Sequence, residues 1–451
     1  MGYEIGGSGH LSGFVPLPDL RKTDSYRLCA NILGKGSRKP YSLKEYTMND
    51  IDLNISRESK AMLKEITKFS MEIMRPAGIE LDRMHDPEDV IAETSVLWDV
   101  FRKAREMGLH LLQIPKSFGG MVDDMDPLIA LCIGEQMGYA DAGLAISMGV
   151  SAMPFRYAAL FPVPELQQIA RDFVEDKESR MIGCWAITEP DHGSDWTLGG
   201  DHPKCGPSVT AVLKGDVYVV NGEKAAWVSN GTIATHAVLH VALDTSKGMD
   251  GQGLAIIPLD LPGISRGRAL DKMGQRPLNQ GSIIFQDVCV PKAFMVVPNP
   301  AFMKAAAGQG LASVNGGMAV VFAGLARAAY DEALKYARQR IQGGVPIFEH
   351  KNIKLKLFNM FTRVEAARAN ARRMALYNAA NPMNPSVAHA VAAKCLSTET
   401  ATQVASDALQ IFGGNGLTRD YPIEKMFRDA RASMIEDGVN EVLGLKAAEY
   451  L

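Results

Sequence analysis

The chain has 451 residues, of which 47% are hydrophobic and 22% charged, proportions of a globular protein with two or three domains. A formal net charge of -3 provides no general field for a polyanion, so nucleic-acid binding is not expected. Cys29, Cys132, Cys184, Cys205, Cys289 and Cys395 are scattered without a Cys-x-x-Cys pair, and the nine histidines form no His-x-x-x-His cluster, so neither a disulfide framework nor a metal site is expected and reduced thiols fit a cytoplasmic setting.

Residues 1–50 are rich in Gly, Pro and Lys/Arg, with turn signals at Gly6-Gly7 and Gly34-Lys35-Gly36, and read as an arm or wrapping segment. No charged stretch leads into an apolar one there, so a secretory signal is not expected. From Ile51 the pattern turns helical: Met62, Ile66, Phe69 and Ile73 recur at three- and four-residue steps, and a second apolar face runs through Leu128, Ile129, Cys132 and Ile133. Asp126-Pro127, after a Gly119-Gly120 loop, predicts a helix start with Asp as cap and Pro in the first turn.

Beyond about residue 180 the texture changes to short apolar runs bounded by Gly, Asn, Asp and Pro: Val217–Val220, His236–Val241, Gly253–Ile257 and Ser282–Val290. Asn221-Gly222 predicts a tight hairpin turn. From about residue 300 the chain is Ala-rich and helical again, over 315–340, 350–380, 386–412 and 422 to the end, with Asn381-Pro382 and Asn384-Pro385 separating two of these stretches. No uninterrupted apolar run of about 18 residues predicts a membrane span. Helices, then strands, then helices predict an α+β chain: an arm (1–50), an N-terminal helical domain (51–178), a central β-barrel or sandwich domain (179–298) and a C-terminal four-helix bundle (299–451).

Several runs carry chemistry. Trp185 to Asp195 reads W-A-I-T-E-P-D-H-G-S-D, and Asn221 to Gly231 reads N-G-E-K-A-A-W-V-S-N-G. In the first, a Thr hydroxyl and backbone N–H groups at a strand-to-loop turn suit the polar edge of a flat ring, and Gly193 permits close approach of a ligand. A bulged loop with Asp/Ser turn chemistry is the plainer reading. In the second, Trp227 offers a broad rigid surface and Ser229, two residues on, shares its face if the strand is regular; a Trp packed between strands is the alternative. Met273-Gly274-Gln275-Arg276 and Phe285 to Pro291 read as structural. Arg340 closes a helical run before Gly343-Gly344 and Glu349-His350-Lys351, and Gln410 to Gly416 reads Q-I-F-G-G-N-G, a helix end with adjacent glycines. Near the C-terminus stands R-D-A-R-A-S-M-I-E-D-G, Arg428 to Gly438.

Together these runs resemble the acyl-CoA dehydrogenase family over about residues 51–451. The resemblance implies FAD held by Trp185, Ile187, Thr188, Gly193, Ser194, Trp227, Ser229, Arg340, Gln410, Gly413 and Gly414. Arg340 and the Gly413-Gly414 turn then serve the diphosphate of a neighbouring subunit's cofactor. Ser194 and Gly438 meet an acyl-CoA substrate. In the common family form the acid before the last glycine is Glu; here Asp437 takes that register, and the resemblance makes it the base that removes the α-proton while hydride passes to FAD N5. Glu436, one residue earlier, is the competing base, and Asp437 as a helix-capping turn residue is the bland one. Other departures are an extra residue between Lys224 and Trp227, Lys351 for Gln, and Val439 and Glu441 where Thr and Gln usually meet the adenosine. Relatives that carry the acid on the first bundle helix have no counterpart here, because Val314 stands near that place.

Asp is one methylene shorter than Glu, which withdraws the carboxylate by roughly 1 to 1.5 Å. A bulky α-substituted or alicyclic acyl group would fill that gap. Ala145 stands where glutaryl-type relatives carry an Arg, so a distal carboxylate on the substrate is not expected. The resemblance further implies an electron-transferring flavoprotein as electron acceptor and a homotetramer. Two alternatives stay open: a nitroalkane-oxidase-like flavoenzyme, which also uses Asp as base, and a flavin-less binding or scaffold member of the fold.

Overall fold

The structure is a computed structural model that describes residues 55–198, 202–296 and 300–451; the arm expected over 1–50 lies outside them. The helical part opens where the Ser56 hydroxyl accepts the Ser59 N–H at 3.1 Å, capping α1 (Arg57–Phe69). After a π-turn at Ser70–Met74 the chain continues into α2 (Arg75–Arg83), then α3 (Pro87–Ile91) and α4 (Val96–Glu106). The helix start read at Asp126-Pro127 is present: Asp126 accepts the Leu128 N–H at 2.8 Å and α5 runs Pro127–Ala140. α6 (Ala142–Ser151), α7 (Met153–Leu160) and α8 (Pro164–Glu175) complete the set. Ile66, Phe69, Leu97, Phe101, Ile129 and Ile133 form its core, which is the apolar periodicity of the sequence turned inward.

Next come β1 (Gly183–Ala186), a single turn α9 (Asp195–Leu198), β2 (Thr210–Lys214), β3 (Val217–Ser229), β4 (His236–Ala242), β5 (Gln252–Pro258), β6 (Ile264–Arg266), β7 (Gln280–Pro291) and β8 (Met295–Val296). They make one sheet in the order β6-β7-β3-β2-β4-β5-β8, with β1 laid parallel on β4. Val220, Val228, Leu239, Ile257, Ile283 and Phe285 are buried on it. Asn221-Gly222 is not a hairpin turn. It lies inside β3 at a bulge against β7, where Gly222 has φ 131° and a Cβ would stand 2.9 Å from Val209 Cα. Asn221 bridges the bulge, donating to Asp287 Oδ1 at 3.1 Å and accepting the Asp287 N–H at 2.8 Å. The turn between β2 and β3 is made at Gly215, φ 63°.

The bundle consists of α10 (Pro300–Gln339), α11 (Lys351–Ala380), α12 (Val387–Phe412) and α13 (Ile423–Ser433), with a small hairpin, β9 (Ile341–Gln342) and β10 (Val345–Pro346), after α10. α10 starts well before the expected residue 315. By length and composition its Ala307–Gln339 part could cross a membrane, but 67% of its most apolar window is buried, packed against α5, α11 and α12 as a core helix. The helix expected from 422 to the end is broken: α13 stops at Ser433 and α14 (Asn440–Ala448) starts after a turn. The break is a consequence of Asp437 and Gly438, both at positive φ (51° and 102°), a conformation that no α-helix continues through.

α5 and α10 meet backbone to backbone. A Cβ on Gly138 would lie 2.1 Å from the Val321 carbonyl oxygen, and one on Gly324 would lie 2.1 Å from that of Glu135. A helical Gly→Ala change ordinarily stabilises by about 1 kcal/mol. Here the sign should reverse: Gly324→Ala should lower the unfolding free energy by about 1–3 kcal/mol, the cost of overpacking, read by denaturant titration. A gain in stability would contradict this close approach.

Candidate functional site

β1 runs into the loop Ile187–Pro190, which a buried ion pair ties to β3. Lys224 Nζ donates to Glu189 Oε1 at 2.6 Å and to the Ile187 carbonyl at 3.1 Å, and both charged side chains are fully shielded from solvent. The second Glu189 oxygen accepts the N–H and hydroxyl of Ser208. Burial pushes Lys224 down to about 8 against the opposing pull of Glu189. Burial works to raise Glu189 as well, but the Lys224 charge and the Ser208 hydrogen bonds outweigh it and hold the carboxyl below its usual value. The Ala225 N–H donates to the Thr188 carbonyl at 2.9 Å, which straps Thr188 beside β3 two residues before Trp227.

The extra residue between Lys224 and Trp227 is taken up by a second bulge: four steps along β3, Lys224 to Val228, face two along β7, Ile283 to Gly281. Val228 then points into the core, while Trp227 is 59% exposed and Ser229 half-buried on the other face. Gln280 holds this stretch, its Nε2 donating to the Trp227 carbonyl at 3.1 Å and to Ser229 Oγ at 3.2 Å. Gln280 Oε1 accepts in turn from Lys272 Nζ at 2.8 Å. Among the described residues the half-buried Thr188 hydroxyl has no protein hydrogen-bond partner.

Trp185 turns its indole N–H onto His240 Nε2 at 3.0 Å, beneath the loop, and Trp196 meets the same imidazole edge-on at 5.2 Å. Burial holds His240 far down, at about 3, so it is neutral and its Nε2 can accept. Gly193 and Ser194 are exposed at the loop tip, where His192 Nδ1 pairs with Asp195 at 2.6 Å. α9, which starts one residue later, packs on α14, so this loop lies against the C-terminal segment that follows Asp437.

A second group assembles at the C-terminal ends of α10 and α12. Tyr336 stacks on Phe412 at 4.1 Å between centroids, and Asn415 Nδ2 donates to its hydroxyl at 2.9 Å. That brings Arg340, one turn beyond Tyr336, to the corner occupied by Gln410, Gly413 and Gly414. All four are exposed, Gly413 at φ 59°. Among the described residues the Arg340 guanidinium makes one hydrogen bond, 3.4 Å to Gln342, and a Cβ on Gly413 or Gly414 would meet open space. The donor sets fit FAD: an open indole and an unpartnered hydroxyl for a flat ring, a guanidinium and exposed backbone for a diphosphate.

The run Arg428 to Gly438 builds a turn clamped from two sides. Arg428 forks onto Asp82, with bonds of 2.9 and 2.6 Å, and reaches the Met273 carbonyl at 2.8 Å. Asp429 accepts Lys425 and the Gln275 N–H, each at 2.5 Å. Gln275, itself at φ 50°, donates from Nε2 to Glu436 Oε1 at 2.5 Å, so the Met273–Arg276 run serves the site as well as the fold. From the other side Lys394, fully buried on α12, donates to the Gly438 carbonyl and to Asn440 Oδ1, both at 2.8 Å. Gly438 is needed as glycine, since a Cβ would come within 2.8 Å of Leu443.

Asp437 is accessible from the open side of this turn, and among the described residues its carboxylate accepts no hydrogen bond. It does not cap α14, whose N-cap is Val439 without a side-chain bond. Enclosure by protein on its other sides raises the carboxyl above its usual value, with the Lys394 charge pulling the other way. Glu436 is raised too, by burial and then by the neighbouring Asp437, against Gln275, Lys272 and Lys394. Val314 is half-buried on α10, and Ala145 lies within the N-terminal helical core.

The sequence reading missed Glu189 with Lys224, Gln280 with Lys272, Gln275 and Lys394. Only Lys394 had a visible signal, a lone cation on the apolar face formed by Ala390, Val391 and Ala393. Lys224→Met strands a buried carboxylate and should destabilise the protein by about 3–5 kcal/mol, whereas Lys224→Met with Glu189→Leu should recover most of that loss in denaturant unfolding. Equal losses in the single and double variants would contradict the pairing.

Three family models cover the described parts: the acyl-CoA dehydrogenase N-terminal domain over residues 56–161, the middle domain over 184–288 and the C-terminal domain over 305–451. The probable acyl-CoA dehydrogenase YngJ of Bacillus subtilis is 32% identical over 410 residues, 89% of this chain and 100% of the relative. The cyclohexane-1-carbonyl-CoA dehydrogenase of Geobacter metallireducens is 27% identical over 401 residues, 88% of this chain and 98% of that one. Among solved structures, the butyryl-CoA dehydrogenase of Megasphaera elsdenii superposes with a TM-score of 0.76 at 26% identity, over 88% of this chain and 99% of that one. With the sheet, the bundle and the paired donor sets, these matches establish that the chain belongs to the acyl-CoA dehydrogenase family of FAD-dependent oxidoreductases.

Proposed function

We propose that Asp437 is the base that removes the α-proton of an acyl-CoA thioester, and that the acyl group is bulky or alicyclic. The observation that carries the assignment is the contrast between two adjacent acids. Glu436 is tied down by Gln275, while the Asp437 carboxylate is raised, unbonded and open. A base needs a free lone pair, and of these two acids, both raised by burial, Asp437 is the one whose carboxylate has no hydrogen-bond partner among the described residues. Its backbone N–H has no protein acceptor among the described residues, which suits it to stabilise the enolate oxygen that forms as the α-proton leaves.

The missing methylene supports substrate bulk. At a fixed backbone the Asp carboxylate sits roughly 1 to 1.5 Å further from the α-carbon than a Glu would, and a ring or branch at that carbon closes the gap. A relative that acts on cyclohexane-1-carbonyl-CoA supports the alicyclic reading. Bound FAD would supply the two-electron acceptor. Thr188, Trp227 and Ser229 would hold its ring, and Arg340, Gln410, Gly413 and Gly414 of a neighbouring subunit its diphosphate. That sharing requires at least a dimer, the family resemblance implies a homotetramer, and the exposed Leu355 and Phe358, one turn apart on α11, give a subunit contact an apolar face. An electron-transferring flavoprotein is the acceptor the family resemblance implies.

Asp437→Asn should keep its visible flavin absorbance but lower the rate of flavin reduction by acyl-CoA by about two to four orders of magnitude, the scale of a lost general base. Glu436→Gln should cost far less. Asp437→Glu should shift dye-reduction preference from branched and cyclic acyl-CoAs toward straight chains. The assignment falls if Glu436→Gln abolishes reduction while Asp437→Asn leaves it near native. Peroxide from nitroalkanes with no acyl-CoA oxidation would move the chain to the nitroalkane-oxidase-like reading.

A further inference from the structure

Lys394 is out of place by composition. It sits in the middle of α12, fully buried, among Ala390, Val391 and Ala393, where an ammonium carries a large desolvation cost unless something uses it. Its ammonium donates to one short segment, the Gly438 carbonyl and Asn440 Oδ1, each at 2.8 Å. Asn440 is fixed in turn, its Nδ2 donating to Thr398 Oγ1 at 3.0 Å. The segment so gripped holds the adjacent left-handed residues Asp437 and Gly438.

We propose that Lys394 is the positioning residue for Asp437: its buried ammonium clamps the left-handed turn and supplies the cation against which the carboxylate works. The proposal rests on the reading of Asp437 as base. The charged and titratable groups around the turn are Lys394 and Cys395 from α12, Glu441 from α14, Glu436 within the turn, and Lys272 from the loop before β7. Of these, Lys394 is the group that acts on Asp437, drawing its carboxyl down against the effect of enclosure. Burial draws Lys394 itself down, and Cys395, Asp437, Glu436 and Glu441 pull it back up.

The sign follows. Removing the cation raises the Asp437 pKa, and since the base must be ionised, activity is lost from the acid side. In the flavin-loaded full-length protein, Lys394→Met should move the acid limb of kcat/KM upward by about one pH unit, the low end for loss of a close opposite charge. Lys394→Arg keeps the charge but not the single-point grip. It should leave the limb in place and lower kcat by about tenfold or more through a displaced turn. A packing role alone would lower flavin content or stability in both variants without moving the limb in one and sparing it in the other. An unchanged limb in flavin-replete Lys394→Met overturns the proposal. Should that variant not fold, Lys394→Arg decides: an unmoved limb with reduced kcat supports the clamp, and a native kcat or a shifted limb overturns it. Asp437→Asn separates the two claims. If it is inactive while Lys394→Met keeps the native profile, only the clamp fails; if it is fully active, the base reading fails with it.

Discussion

A bundle of straight helices has no place to present a carboxylate on a bare turn, because helix ends fray or cap themselves. Here the chain leaves the helix between α13 and α14 with consecutive residues at positive φ, Asp437 and Gly438, and is kept there by three parts of the molecule. The N-terminal helices supply Asp82 to Arg428; the loop before β7 supplies Gln275 to Asp429 and Glu436; and α12 supplies Lys394 to the Gly438 carbonyl. Each contact comes from a different domain. The position of one acid therefore depends on the docking of all three, and the close approach of α5 to α10 fixes the N-terminal helices against the bundle.

Buried charge is used the same way elsewhere. Glu189 with Lys224, Lys425 with Asp141, and Glu135 with Arg327 and Arg368 are all shielded ion pairs at junctions between sequence-distant segments. Such pairs add little net stability, since desolvation offsets most of their attraction, but a misdocked arrangement leaves charges unpaired and is strongly disfavoured. They make the correct arrangement the only cheap one. The polar line from Lys272 through Gln280 to Ser229 extends the principle from the turn that carries the acid to the strand that carries Trp227.

The sequence made the periodic elements legible because their signal is local. The starts of α5 and α12 are written in the Asp126 and Ser386 caps, and α11 in its helical periodicity ahead of Asn381-Pro382. Asn221-Gly222 misled because the same left-handed glycine serves a hairpin and a bulge, and only the β7 partner decides between them. The final helix was overextended because its composition is helical up to Asp437, and the break needs Lys394 and Gln275, 43 and 162 residues away by numbering, to hold it. Motif residues such as Thr188 and Asp437 were visible as a pattern. Most residues that support them were not: Lys224 looks like any surface lysine until burial is known, and Lys394 shows only as a lone cation on an apolar helix face.

The central claim is that the open acid on the clamped turn is the one that takes the proton. Solvent exchange at the α-carbon tests it without reference to any electron acceptor. Acyl-CoA incubated with the protein in heavy water should gain deuterium at Cα with the native chain and with Glu436→Gln, and should gain none above background with Asp437→Asn. Exchange that survives in Asp437→Asn and disappears in Glu436→Gln would contradict the account.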